Sequence, residues 1–353
     1  MSYKITGSGC SIPSVVQTNE AFLNHPFLDD KGLKFDINNN TIIDKFNSIT
    51  GIEQRKYIPS ELKTSDIAYH AAQKAIEDAR LDPETLDYII VAHNFGDISS
   101  SSKQIDTLPS LASRVKTLLK IQNPSCVAYD ILFGCPGWVE AMIQAQAFIK
   151  AGMAKKCLVI GADALSRVVD IHDRDSMIYA DGAGATILEE SNEKGGILSH
   201  STLTYTAQNE ADFIFYGTSY NNKALNEDKY IKMQGRKVYE FALNKVPAAM
   251  KQCLDQAGVE IDNLKKIFIH QANKKMDEAI AKRFYKLYKK PMPDEILPMN
   301  IEEFGNSSVA TVPTLFDLVL KQNYKGHSLH EGDIILFASV GAGMNINAIT
   351  YQI

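Results

Sequence analysis

The sequence predicts an α/β protein built from two similar halves, and three observations carry that prediction. Strand-like apolar runs at residues 88–92, 126–132, 157–164, 266–269 and 333–340 alternate with longer segments of helical period. Residues 75–91 lie over residues 253–269 without a gap, each reading helix, acidic turn, strand; residues 157–164 lie over 335–342 at the same spacing. The chain of 353 residues is 45% hydrophobic and 22% charged, enough to bury a large core without covalent staples. Two matches at one spacing point to a duplicated unit, with halves of 1–185 and 186–353 packed face to face and a ligand cleft between them.

The chain opens on MSYKITGSGCSIP, which has neither a charged leader with an apolar core nor an Arg-rich amphipathic pattern. No window approaches eighteen uninterrupted apolar residues, so no membrane span and a cytoplasmic location are expected. A net charge of -5 gives no global basic field and disfavours wholesale binding to nucleic acid. Two glycine pairs could suggest a dinucleotide site, but Pro13 blocks a helix after Gly7-Ser-Gly, and too little chain follows Gly341-Ala-Gly to form one. The stretch 94–109, with its serine run, follows a strand end. Together with 203–232, it is expected to help wall a ligand pocket.

The five cysteines, Cys10, Cys126, Cys135, Cys157 and Cys253, are odd in number and never arranged as CxxC, which argues against a disulfide framework or a zinc site. A cysteine is by default a small buried hydrophobe, and Cys157 and Cys253, inside strand and helix patterns, fit that reading. Cys135 differs. A β run ends at Gly134 and a helical pattern starts at Pro136, a favoured first helical position for proline. The thiol is thus expected at a helix N-terminus, where dipole and free amides favour the thiolate nucleophile.

His270 ends the strand 266–269 and precedes Gln271-Ala-Asn and a helix expected over 274–289, so it too lies at a strand C-terminus, the edge where α/β folds bind ligands. Asn306 sits in a Gly/Ser-rich turn before a helical run, a position also suited to a simple cap or turn former. His93 is the competing histidine, one position beyond the equivalent strand end of the first half, and reads as a loop or core residue.

Taken together, FGCPGW around Cys135, HQAN from His270, FGNSSVATVP around Asn306 and the terminal SVGAGMNIN resemble the Cys-His-Asn constellation of the ketoacyl-acyl carrier protein synthase III family, within the thiolase superfamily. The stretches TGIEQR from Thr50, IGADALSR from Ile160 and YADGAGATIL from Tyr179 add to the likeness, which runs the length of the chain in order. The resemblance implies a thiolase fold, a duplicated five-layered α-β-α-β-α arrangement, and a homodimer. It implies that Cys135 accepts an acyl group from a thioester, with the amides of Cys135 and Ala342 forming the oxyanion hole. A malonyl thioester then loses carbon dioxide, and His270 and Asn306 donate hydrogen bonds to the enolate. No cofactor is implied beyond thioesters of coenzyme A or acyl carrier protein as substrates.

The basic helix after HQAN carries Lys274, Lys275 and Arg283, and Lys275 matches the basic residue with which the family docks its acidic carrier protein. The family's adenine-stacking Trp and Arg near TGI are replaced by Lys45 and Ile49, so carrier protein or another thioester, rather than coenzyme A, can be the donor. Two alternatives stay open on sequence: an acyltransferase or cyclase of secondary metabolism that keeps acyl-Cys135 without decarboxylation, and a non-catalytic partner subunit.

Overall fold

The structure, a computed structural model, describes residues 1–223 and 228–353. The first part of the chain forms β1 (Ser2–Ser11), β2 (Val15–Thr18), α1 (Asn39–Thr50), β3 (Gln54–Tyr57), α2 (Thr64–Ala79), β4 (Tyr88–Ala92), α3 (Leu111–Leu118), β5 (Val127–Ile131), α4 (Gly137–Lys150), β6 (Lys156–Ala164) and β7 (Asp181–Ser191). The second forms β8 (Gly196–Thr204), β9 (Ile214–Thr218), β10 (Lys229–Met233), α5 (Gly235–Gln256), β11 (Leu264–Ile269), α6 (Lys274–Leu287), α7 (Ile301–Phe304), α8 (Thr311–Gln322), β12 (Ile334–Gly341) and β13 (Asn345–Gln352).

Two mixed sheets result, in the orders β1-β7-β6-β4-β5 and β8-β13-β12-β11. The spacing seen in the sequence reappears as strand register. In the first sheet β4 runs parallel to β6 with Tyr88 opposite Cys157; in the second β11 runs parallel to β12 with Lys266 opposite Ile335. Each central strand then turns back into an antiparallel neighbour, β7 or β13. The sheets part between Ser191 and Gly196, so position 185 lies inside β7. Among the described residues no strand equivalent to β5 flanks β11; there the chain after α6 supplies Ile296 O to Ile267 N at 2.8 Å.

The pleat explains the layering, because alternate residues of a strand face opposite sides. Ile90, Val159 and Leu188 of the first sheet, and Phe268, Ile335 and Phe337 of the second, all pack on α4 and α8, which therefore lie between the sheets. The intervening residues face outward: Ile89, Val91 and Leu158 onto α2 and α3, and Ile267, Ile269 and Leu336 onto α5 and α6. The order is helix, sheet, helix, sheet, helix, the five-layered thiolase arrangement.

Close approach of α8 and the turn before it requires glycine on the facing strands, since a Cβ on Gly161 of β6 would collide with Val309 O and one on Gly184 of β7 would meet the Pro313 ring at 2.7 Å. Among the described residues no helix is long and apolar enough to cross a membrane.

Candidate active site

A cavity of about 660 Å³ opens where the strand ends of both sheets meet, and Cys135, His270, Asn306, Ser308 and Ala342 all line it. Four separate segments supply these residues, so the convergence is a property of the fold and not of local sequence. Of the two stretches expected to wall it, 94–109 contributes only Asn94 and Phe95, because Arg114 ties Asp97 and Asp106 and folds the rest of that loop away. The ribbon β9–β10 contributes Ile214, Phe215, Tyr216 and Ile231; the stretch 203–232 also includes residues 224–227, which lie outside the described residues.

Cys135 follows β5 through a turn at Gly134 and precedes α4. Pro136 is the N-cap of α4, so the thiol lies one residue ahead of the helix and not on its first turn. The expected thiolate is not the resting form. The sulfur faces the cavity but protein surrounds it, and burial pushes the thiol up to about 12, against the lowering effect of the Ser308 hydroxyl and the Cys135 amide. Ser308 Oγ donates to Cys135 Sγ at 3.3 Å. The Cys135 N–H has no backbone acceptor among the described residues.

The Cys135 turn and the Gly341-Ala-Gly turn after β12 touch directly. A Cβ on Gly134 would lie 2.8 Å from Ala342 N, and one on Gly341 would lie 2.5 Å from Cys135 N. Only glycine at both points lets the two amides of the expected oxyanion hole sit side by side.

His270 leaves the end of β11, its backbone held by Ala338 O at 2.8 Å. Its Nδ1 lies 2.8 Å from Thr311 Oγ1, which in turn donates to Ser308 O at 3.0 Å. A hydroxyl has one hydrogen, so with that hydrogen on Ser308 O the ring must donate from Nδ1, leaving a lone pair on Nε2. Burial lowers the imidazole to about 4, so it is neutral at pH 7.

Asn306 is a turn former that also lines the cavity. Its Oδ1 accepts Ser308 N–H at 2.8 Å, which fixes the amide and leaves Nδ2 as the donor free for the cavity. In the same HQAN stretch, Gln271 is a buried strut, its Oε1 accepting from Asn300 N and Ile301 N, while Asn273 caps α6.

His93 is structural. Its Nδ1 accepts Gly96 N–H and its Nε2 meets Asp130 Oδ2 at 3.0 Å, the carboxylate that also receives Leu111 N and Ala112 N at the start of α3. At the cavity mouth stand Lys45 and Ile49, together with Arg174, which the sequence reading did not single out and which stacks over Phe35 at 4.8 Å.

On α6, Lys274 is paired with Glu302 at 2.8 Å and Arg283 is bound to Leu243 O and Asn244 Oδ1. Lys275 is exposed and has no partner among the described residues. The helix ends at Leu287, two residues short of the expected Lys289.

Two layered sheets around paired central helices, with a cysteine, a histidine and an asparagine converging on one cavity, define a thiolase-fold condensing enzyme. The chain matches the model of 3-oxoacyl-[acyl-carrier-protein (ACP)] synthase III over residues 129–206 and that of its C-terminal domain over 254–353. It is 30% identical over 348 residues to a beta-ketoacyl-[acyl-carrier-protein] synthase III of Erythrobacter litoralis, covering 98% of this chain and 97% of that protein. With the enzyme of that name from Oceanobacillus iheyensis it shares 31% identity over 353 residues, 100% of this chain and 99% of the other. The crystal structure of 3-oxoacyl-[acyl-carrier-protein] synthase III from Aquifex aeolicus superimposes with a TM-score of 0.80 at 29% identity, covering 99% of this chain and 100% of that one. The chain belongs to the 3-oxoacyl-[acyl-carrier-protein] synthase III family of acyl-transferring condensing enzymes.

Proposed function

We propose that the protein takes an acyl group from a thioester onto Cys135 and extends it by decarboxylative condensation with a malonyl thioester, in fatty acid or related lipid or polyketide synthesis. The observation that carries this reading is the convergence of Cys135, His270 and Asn306 on one cavity. In the first half-reaction the Nε2 lone pair of His270 takes the Cys135 proton as the sulfur attacks the thioester carbon. The oxyanion is stabilised by the amides of Cys135 and Ala342. The departing carrier thiolate receives that proton, leaving acyl-Cys135 and neutral His270.

In the second half-reaction the malonyl carboxylate leaves as carbon dioxide and its bonding pair becomes the enolate. Asn306 Nδ2 donates to the enolate oxygen, joined by His270 Nε2–H in the tautomer that Thr311 serves as donor to Nδ1. Thr311 suits both tautomers because a hydroxyl both accepts and donates. The enolate carbon bonds to the acyl carbon, and collapse of the tetrahedral adduct expels the Cys135 thiolate, which takes one proton from solvent water, the proton that loss of carbon dioxide from a carboxylate consumes.

Lys275, with Lys274 and Arg283 beside it, is the proposed docking face for an acidic carrier protein; its exposure without a partner supports that role. The edge position of β5, with Val127 and Leu132 exposed beside it, supports a homodimer formed across this edge. A cytoplasmic location fits both. The test is turnover with malonyl-acyl carrier protein: release of one carbon dioxide per product is expected, and acyl transfer without it moves the assignment to a non-decarboxylating acyltransferase.

A further inference from the structure

We propose that Asn94, held by Asp163, fixes the Ser308 hydroxyl so that its hydrogen points at Cys135 Sγ, making Asn94 and Asp163 positioning residues for the nucleophile.

Asn94 Nδ2 carries two hydrogens: one goes to Asp163 Oδ2 at 2.7 Å and the other to Ser308 Oγ at 2.9 Å. Asp163 Oδ1 also accepts the Asn94 backbone N–H at 2.9 Å, so this carboxylate grips Asn94 at two points and the amide cannot flip. Ser308 Oγ, already accepting from Asn94, has a single hydrogen to give; the Asp163 carboxylate and Cys135 Sγ both lie beside it, and the hydrogen bond formed is the one to Cys135 Sγ at 3.3 Å. Such a bond favours the thiolate over the thiol, because the charged acceptor binds a donor more strongly than the neutral one. Asp163 is itself almost fully buried.

The backbone of Ser308 adds to the argument. Its φ of 54° is left-handed, an uncommon conformation for a residue with a Cβ. Asn306 Oδ1 secures it through Ser308 N, and its carbonyl receives the Thr311 hydroxyl that faces His270. One residue held in this conformation therefore presents its hydroxyl to the nucleophile and its carbonyl to the partner of the histidine. A plain turn-forming role for Asn94 explains neither the two-point grip by Asp163 nor the contact with a segment more than two hundred residues away.

The inference rests on Cys135 being the reactive thiol, and the experiment separates the two. Full-length wild type, Asn94→Ala, Ser308→Ala and the double variant are alkylated with iodoacetamide at pH 8, with the adduct localised to Cys135 by mass. Ser308→Gly is included because glycine takes φ 54° without strain while still removing the hydroxyl. Loss of the hydroxyl contact raises the thiol by about one unit; since a more basic thiolate is also the better nucleophile, alkylation slows by about three- to tenfold.

The relay predicts this slowing in each single variant, and no further slowing in the double variant. A wild-type rate in Asn94→Ala, or effects that multiply in the double variant, would overturn it. Because alkylation reads the thiol directly, a wild type that alkylates at Cys135 but never condenses sinks the condensing reading and leaves the relay intact.

Discussion

The two halves of the molecule share a frame and, in the proposed mechanism, divide the chemistry. β4 and β6 in one sheet repeat as β11 and β12 in the other with the same register, yet the residues at their ends have opposite fates. Ala92 and His93 close β4, and His93 is spent on Asp130 and the start of α3. His270 closes β11 and keeps Nε2 for the cavity. The central helices diverge likewise: Cys135 lies ahead of α4, whereas α8 is preceded by Asn306 and Ser308. The repeated frame brings the strand ends together, and in the proposed mechanism point differences at those ends decide which half supplies the nucleophile and which handles protons and the enolate.

If that division holds, the largest effects fall on opposite half-reactions. Cys135→Ala should lower turnover by about 10⁴-fold or more and abolish the acyl adduct seen by intact mass. Asn306→Ala should keep the adduct while lowering carbon dioxide release by about 10²–10³-fold. An Asn306→Ala enzyme that failed to acylate would erase the distinction between the halves.

The seam between the halves is the next point of attack. Gly341→Ala places a methyl group against Cys135 N, and is expected to cost about 1–3 kcal/mol of stability and to slow acylation by about 10²-fold; thermal melts and single-turnover acylation check both.

pH separates His270 from a free imidazole. His270 is lowered from 6.5 to about 4 by burial, so it is neutral, and able to take a proton, at every pH above that value. The acylation rate should therefore lose its base only as pH falls through about 4; an acid limb centred near 6.5 that disappears in a His270 variant would contradict the burial.

Smaller effects complete the comparison. Lys275→Glu should raise KM for carrier-bound malonyl by about tenfold while leaving the coenzyme A thioester unchanged, a difference steady-state assays resolve. His93→Leu should cost about 1–3 kcal/mol of stability by denaturant titration, with acylation per folded molecule held within a factor of about three.

Much of this was legible in the sequence because the relevant signals are local or periodic. The repeat survives as register, since a one-residue slip would turn every side chain to the wrong face. Cys135, His270 and Asn306 each sit at a strand end or tight turn that motif spacing marks. What stayed hidden depends on closure. The direction of the Cys135 shift follows from how completely the cavity surrounds the sulfur, which helix-start chemistry alone does not reveal. Ser308, Asn94 and Asp163 come from three segments whose adjacency only folding creates, and Arg174 reaches the mouth by stacking on Phe35, where the sequence pointed to the replaced positions Lys45 and Ile49. Of the basic residues on α6, the sequence could not tell that Lys274 and Arg283 are engaged while Lys275 has no partner among the described residues.

The central claim is tested most directly by intact mass of wild type and Cys135→Ala after exposure to a panel of acyl-coenzyme A and acyl-carrier thioesters, followed by malonyl-acyl carrier protein. An acyl adduct is expected on wild type alone, discharged by malonyl with release of a 3-oxoacyl thioester. An adduct that persists in Cys135→Ala, or one on wild type that malonyl cannot discharge, would contradict that claim.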